Sequence, residues 1–120
     1  MELGADGTFA QIEKEIQSIK VQLQEIGEMR PGSLTTQYRN PKEQTGAFVQ
    51  ISYTHKMKSK TEYVRAAFVK DIRQQIRNYK KFKKLTEQWV ALGIEHSRLS
   101  MKAEIERSEM QQSKKRKRGQ

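Results

Sequence analysis

The sequence contains no cysteine. That excludes disulfides, thiolate zinc sites, iron–sulfur clusters and cysteine nucleophiles, and it fits an intracellular protein. Two histidines, His55 and His96, leave little material for metal or acid–base chemistry. No apolar run approaches the roughly 20 residues of a membrane span. Residues Met1 to Phe9 lack the basic and apolar regions of a secretory signal, so no membrane is expected as a partner. Hydrophobic residues make up 34% of the 120, below the roughly 45–50% of an average soluble domain. The expectation is one domain with a small core. Acidic residues are also scarce, 14 against 24 Lys and Arg, for a net charge of +10.

That charge is unevenly spread. Residues 1–29 carry 2 basic and 6 acidic side chains, whereas residues 30–84 carry 14 basic and 3 acidic. Residues 85–113 return to 3 and 5, and residues 114–120 hold 5 basic and none acidic. Two separate cationic blocks point to a polyanionic partner more than to generic solubility.

Phe9, Ile12, Ile16, Ile19, Leu23 and Ile26 follow one another at spacings of 3, 4, 3, 4 and 3. This is an a/d seam over nearly three heptads. Thr8 with Gln11 reads as a capping box that starts the helix. Gly27 and Pro31-Gly32 end it. Residues 30–46 read as a loop, with a short extended piece around Leu34 to Arg39. Pro41 argues against a central strand there. Residues 47–54 alternate Val49, Ile51 and Tyr53 with Gln50 and Ser52, and read as a strand. His55 to Lys60 reads as a cationic turn and residues 61–65 as the returning strand.

From about Ala66 to residue 108 the period is helical. Apolar positions run from Val69, Ile72 and Ile76 to Leu99 and Ala103. Two consecutive steps of three, Tyr79–Phe82–Leu85, form a stammer, which overwinds a coiled coil or marks a change of partner. Such a helix spans on the order of 65 Å. A chain of this size makes a globule only about 30 Å across, so the helix is expected to project, kink or be covered by another chain. His96 on the apolar stripe reads as a polar register-setting residue.

Nothing in the sequence resembles a phosphate-binding glycine loop, a metal-ligand pair or a nucleophile with its base. No enzyme activity, cofactor or metal is expected. The stronger signal is Lys70, Arg73, Arg77, Lys80 and Lys84, at spacings of 3, 4, 3 and 4, one residue on from the apolar stripe. They make a positive ridge on the order of 20 Å long, widened by Lys81 and Lys83. A solvated helix flank normally mixes signs, and only Asp71 and Glu87 are near. Arg30, Arg39 and Lys42, with Lys56, Lys58 and Lys60 at the hairpin tip, extend this surface, and Tyr38 is a candidate for stacking. Lys114, Lys115, Arg116, Lys117 and Arg118 form a tail that reads as a disordered nucleic-acid tether or nuclear import signal.

Residues 30–85 resemble a small prokaryotic family of unknown function. Gly32-Ser33-Leu34 matches its Gly-Ser-Leu segment, and Gly46-Ala47-Phe48 stands where its Gly-Pro-Tyr-Tyr strand begins. Lys60-Thr61-Glu62-Tyr63-Val64 matches its return strand, and Asn78-Tyr79 with Phe82 matches its long helix. Asn40-Pro41-Lys42-Glu43-Gln44 replaces a loop that often carries paired cysteines. A metal bound by that loop in relatives is therefore not expected here. The resemblance implies a helix–hairpin–helix topology and no activity.

The sequence thus predicts an α+β, mostly helical protein. An N-terminal helix, a small β-hairpin and a long C-terminal helix share a single domain over residues 1–110. The two helices form an antiparallel coiled-coil-like pair, and residues 111–120 form a disordered basic tail. The expected function is that of a non-enzymatic nucleic-acid-binding accessory protein of a mobile element or phage, with DNA ahead of RNA. Its expected location is cytoplasmic or nucleoid-associated in a prokaryote and nuclear in a eukaryote. The rival is a coiled-coil structural adaptor that forms a homodimer or binds a larger protein.

Overall fold

A computed structural model of the chain describes residues 4–118, with side chains over 8–114. Helix α1 spans Gly4–Gln24, and strands β1, β2 and β3 span Ser33–Asn40, Thr45–His55 and Lys58–Val64. A 3-10 turn at Ala66–Phe68 leads into helix α2, Val69–Arg118. The fold is α+β and mostly helical, as the sequence predicts. It divides into two compact units, one of α1 with the residues from Leu85 onward, the other Glu25–Lys84. The stammer at Tyr79–Phe82–Leu85 spans that boundary.

In the helical unit the seam of α1 is the packed face. Ile12, Ile19 and Leu85 are buried, with Phe9, Ile16, Leu23, Trp89, Leu92, His96 and Leu99 half-buried. Phe9 meets His96, and Lys20 lies over Trp89, so the two helices run antiparallel. Helix α1 starts at Gly4, four residues before Thr8, which therefore lies inside the helix and is not its cap. Neither proline nor a β-branched run stands in residues 4–7, and the glycine at position 7 costs only about 1 kcal/mol. Ile26, last of the seam, falls beyond the end of α1.

Helix α2 takes in residues 111–118, where the sequence reads as a disordered tail. Met, Gln, Lys and Arg are all favourable helix formers, and no glycine or proline intervenes before Gly119. The expectation for Gly119 and Gln120 lies outside the described residues.

The sheet unit has three antiparallel strands in the order β1-β2-β3, not a bare hairpin. Strand β1 pairs with β2 from Ser33 opposite Ser52 to Tyr38 opposite Ala47, and again at Asn40 opposite Thr45. Only Leu34 and Tyr38 mark this strand as apolar, because it is an edge with one face on the core. The turn of the β2–β3 hairpin is shorter than predicted. It consists of Lys56 and Met57 alone, both at positive φ, 51° and 65°. Strand β2 begins two residues earlier than predicted and β3 three residues earlier, and hydroxyls pair across them, Ser52 with Thr61 at 3.1 Å and Thr54 with Ser59 at 3.0 Å.

The core of this unit sits between the sheet and the start of α2. Ile51, Val64 and Ile76 are buried, with Leu34, Val49, Val69 and Ile72 around them. Ile51 is fully enclosed, which contributes roughly 1.5–3 kcal/mol. Gly32 makes this enclosure possible. Its φ is +150°, and a Cβ there would lie 2.6 Å from Ile51 Cδ1.

Candidate nucleic-acid interface

Helix α2 presents Ile72 and Ile76 to the sheet. Residues one position further along the chain fall about 100° around the helix. That geometry puts Lys70, Arg73, Arg77, Lys80, Lys81 and Lys84 outside the core, and all six are exposed. Arg73, Arg77 and Lys80 share a shallow groove with Gly32, Ser33 and Leu34. The flank of the helix is thus continuous with the start of β1. Arg77 Nη2 donates to Gln74 Oε1 at 2.7 Å, which holds one guanidinium against the helix. Among the described residues no carboxylate lies in ion-pair range of these six cations. Lys83 leans over Tyr79, with Nζ 5.8 Å from the ring centre.

The hairpin tip is at the same end of the unit as the later ridge residues. Val69 lines a concavity with Val49 and Val64, and Arg73 to Lys80 line one with Gly32 to Leu34. Ser33 pairs with Ser52, three residues before His55. The helix therefore runs toward the projecting turn. Lys56, Lys58 and Lys60 are exposed there, and Met57 is 98% exposed between them.

Other predicted site residues are placed elsewhere. Arg39 belongs to the strand register Ser33, Thr35, Gln37, on the face of the sheet turned away from α2. It packs its Cβ and Cγ against Gly46 instead of joining the ridge. Tyr38 is on the helix-facing side and half-buried, opposite Ala47. Arg30 is spent on structure, with Cζ 4.8 Å from the Tyr53 ring centre and Nη2 3.6 Å from Glu62 Oε1. Lys42 is exposed in the β1–β2 turn. Lys114 is exposed on the other unit. The side chains of Lys115, Arg116, Lys117 and Arg118 lie outside the described residues.

His96 is half-buried in the helical unit. Its ring lies 4.2 Å from Phe9, and its Nε2 is 3.2 Å from Glu13 Oε2. Among the described residues no three His, Asp or Glu side chains gather at metal-binding range, and no helix is long and apolar enough to cross a membrane. Sequence reasoning missed the face of the sheet opposite α2, which carries Phe48 and Tyr63. The alternation of β2 and β3 holds that signal, because residues 48 and 63 fall out of phase with Ile51 and Val64.

The geometry is that of a small sheet backed by a helix whose open flank is cationic. No protein-family model, curated protein or solved structure matches the chain.

Proposed function

We propose that the protein is a non-enzymatic nucleic-acid-binding accessory protein that contacts phosphates through the flank of α2 and the hairpin tip. One observation carries this reading. Lys70, Arg73, Arg77, Lys80, Lys81 and Lys84 are exposed on one stretch of helix with no carboxylate within ion-pair range among the described residues. Clustered cations of one sign repel one another, and a polyanion relieves that cost while releasing its condensed counterions. The groove shared with Gly32, Ser33 and Leu34 places Arg73, Arg77 and Lys80 along one concave edge. Contacts of this kind position a protein on a phosphate backbone without reading sequence. The basic end of α2, Lys114 to Arg118, supplies a second cationic segment on the same chain.

The test is fluorescence anisotropy with labelled DNA and RNA across a salt series. The variant replaces Arg73, Arg77, Lys80 and Lys84 by Gln. Wild type should bind with a steep salt dependence, and the variant should lose binding while keeping its fold. Equal binding by both proteins removes the ridge from the mechanism.

A second reading, that of a structural adaptor, has its own observation. Val90, Ile94, Met101 and Ile105 are each at least half exposed on α2. They lie on the side away from Leu85, Leu92 and Leu99, at 100° per residue. Leu92 itself packs beside Ile19 and Ala91 within the chain. A self-association test therefore belongs to Ile94→Asp and Met101→Asp. Under the adaptor reading these lower the measured mass in sedimentation, and the four-Gln variant does not.

A further inference from the structure

The face of the sheet turned away from α2 is open, and its composition is unusual. The pairing registers set Thr35, Gln37, Arg39, Phe48, Gln50, Ser52, Thr54, Ser59, Thr61 and Tyr63 on it. The solvent face of an antiparallel sheet normally carries polar residues alone. Here two aromatic rings stand side by side, Phe48 and Tyr63, with centroids 6.4 Å apart and planes at 52°. Tyr63 is 61% exposed.

The surroundings of the rings narrow what covers them. Gln37 stands directly across from Phe48, and Gln50 directly across from Tyr63. Gln37 Nε2 donates to Thr35 Oγ1 at 3.3 Å, which leaves its carbonyl oxygen and second N–H beside the ring. Toward the hairpin tip the hydroxyls are already paired with one another. The face carries no carboxylate among its described residues, and its one charged residue is Arg39. The unit as a whole has 14 basic residues against 5 acidic ones. An apolar protein partner would be poorly served by two rings set among amides and hydroxyls. Unpaired nucleobases need what is present, which is ring faces to stack on, amides for their edges and a cation for the backbone. Bases inside a duplex are already stacked and cannot reach such a platform.

We propose that this face is a stacking platform for the unpaired bases of a single-stranded nucleic acid, with Phe48 and Tyr63 as the stacking rings and Gln37 and Gln50 beside them. The proposal rests on the nucleic-acid reading above and deepens it. The α2 flank would grip phosphates of any strand, and the sheet face would select strands with free bases.

The test separates the two claims. Oligothymidylate and an abasic strand of equal length carry the same phosphates, but only the first has bases. Wild type should bind oligothymidylate at least about tenfold more tightly than the abasic strand. Phe48→Leu with Tyr63→Leu keeps apolar bulk and removes the rings. It should cut that preference below about threefold and leave abasic affinity unchanged. Tyr63→Leu alone, at a mostly exposed position, covers the case in which the double variant unfolds. It should lose at least half of the preference on a logarithmic scale. Equal wild-type affinity for both strands overturns the platform and leaves the phosphate reading intact. Full preference in the leucine variants also overturns it, because the bases are then held elsewhere. No binding to either strand at low salt overturns both readings.

Discussion

The guanidinium of Arg30 lies over Tyr53, 4.8 Å from the ring centre, although composition counts Arg30 among the cations that would face a polyanion. Its Nη2 reaches Glu62, and the Tyr53 hydroxyl donates to the other oxygen of the same carboxylate at 3.1 Å. The Arg30 backbone N–H donates to Gln75 O at 3.2 Å. One residue thus ties the segment after α1 to β2, β3 and α2.

Replacing Arg30 by Gln removes the cation over the ring and the partner of Glu62. A cation–π contact at a partly exposed site contributes about 0.5–2 kcal/mol. Arg30 Nε is buried without a hydrogen-bond partner, which offsets part of this. The expected net loss is about 1 kcal/mol, or a fall in Tm of about 4–8 °C. Affinity for an oligonucleotide, measured well below Tm, should stay within about twofold, since phosphate contacts are assigned elsewhere. A large loss of binding in a fully folded Arg30→Gln variant would return Arg30 to the interface.

Gly32 is a steric requirement. A methyl group there meets Ile51 Cδ1 at 2.6 Å and Cγ1 at 2.7 Å, inside the most enclosed position of the core. Overpacking of this kind typically costs about 1–3 kcal/mol, and the positive φ adds to it. Gly32→Ala should shift the urea midpoint downward by a corresponding amount. Adding Ile51→Val removes Cδ1, so the double variant should be less destabilised than the sum of the two single changes. Strict additivity would place the cost of Gly32→Ala in the backbone or in the Cγ1 contact that valine keeps, and not at Cδ1.

The helices and the β2–β3 hairpin are legible because their apolar residues keep strict time. The seam from Phe9 to Leu23 and the alternation Val49, Ile51, Tyr53 are periodic over enough residues to identify helix and strand. Strand β1 resembles a loop in sequence because its outer face is Ser33, Thr35, Gln37 and Arg39, with apolar residues on the other face only at Leu34 and Tyr38, and Pro41 stands just past its end. The ridge is legible from spacing alone, since period 3.6 fixes which side chains share a flank. Arg30 and Arg39 are not separable from it by spacing. Whether an arginine faces solvent, stacks on a tyrosine or lies on the far side of a sheet depends on strand register. That register is set by the pairing of Leu34 with Ile51.

Asn78 secures the same segment from the other direction. Its Nδ2 donates to Glu28 O at 2.8 Å, and its Oδ1 accepts from Gln74 Nε2 at 2.9 Å. Asn78→Ala leaves the Glu28 carbonyl without that donor, at a cost of about 0.5–1.5 kcal/mol. Hydrogen exchange should report this locally. The Arg30 N–H should exchange faster than in wild type, while the Ile51 and Val49 amides keep their wild-type rates. Uniform acceleration across the sheet would make Asn78 a determinant of global stability, not a local tie.

Salt dependence distinguishes the two faces of the sheet unit. Removing one phosphate-neutralising cation lowers the steepness of the log–log slope by about 0.9 on duplex DNA and about 0.7 on a single strand. Arg77 lies on the α2 flank, so Arg77→Gln should reduce the slope on both. Arg39 lies on the opposite face of the sheet, in register with Gln37 and packed on Gly46. A duplex held on the helix flank does not reach it, whereas a single strand stacked on Phe48 and Tyr63 does. Arg39→Gln should therefore lower the slope for oligothymidylate and leave the duplex slope unchanged. If Arg39→Gln and Arg77→Gln act alike on duplex, the phosphates are tracked around the edge of β1 and the two faces form one surface.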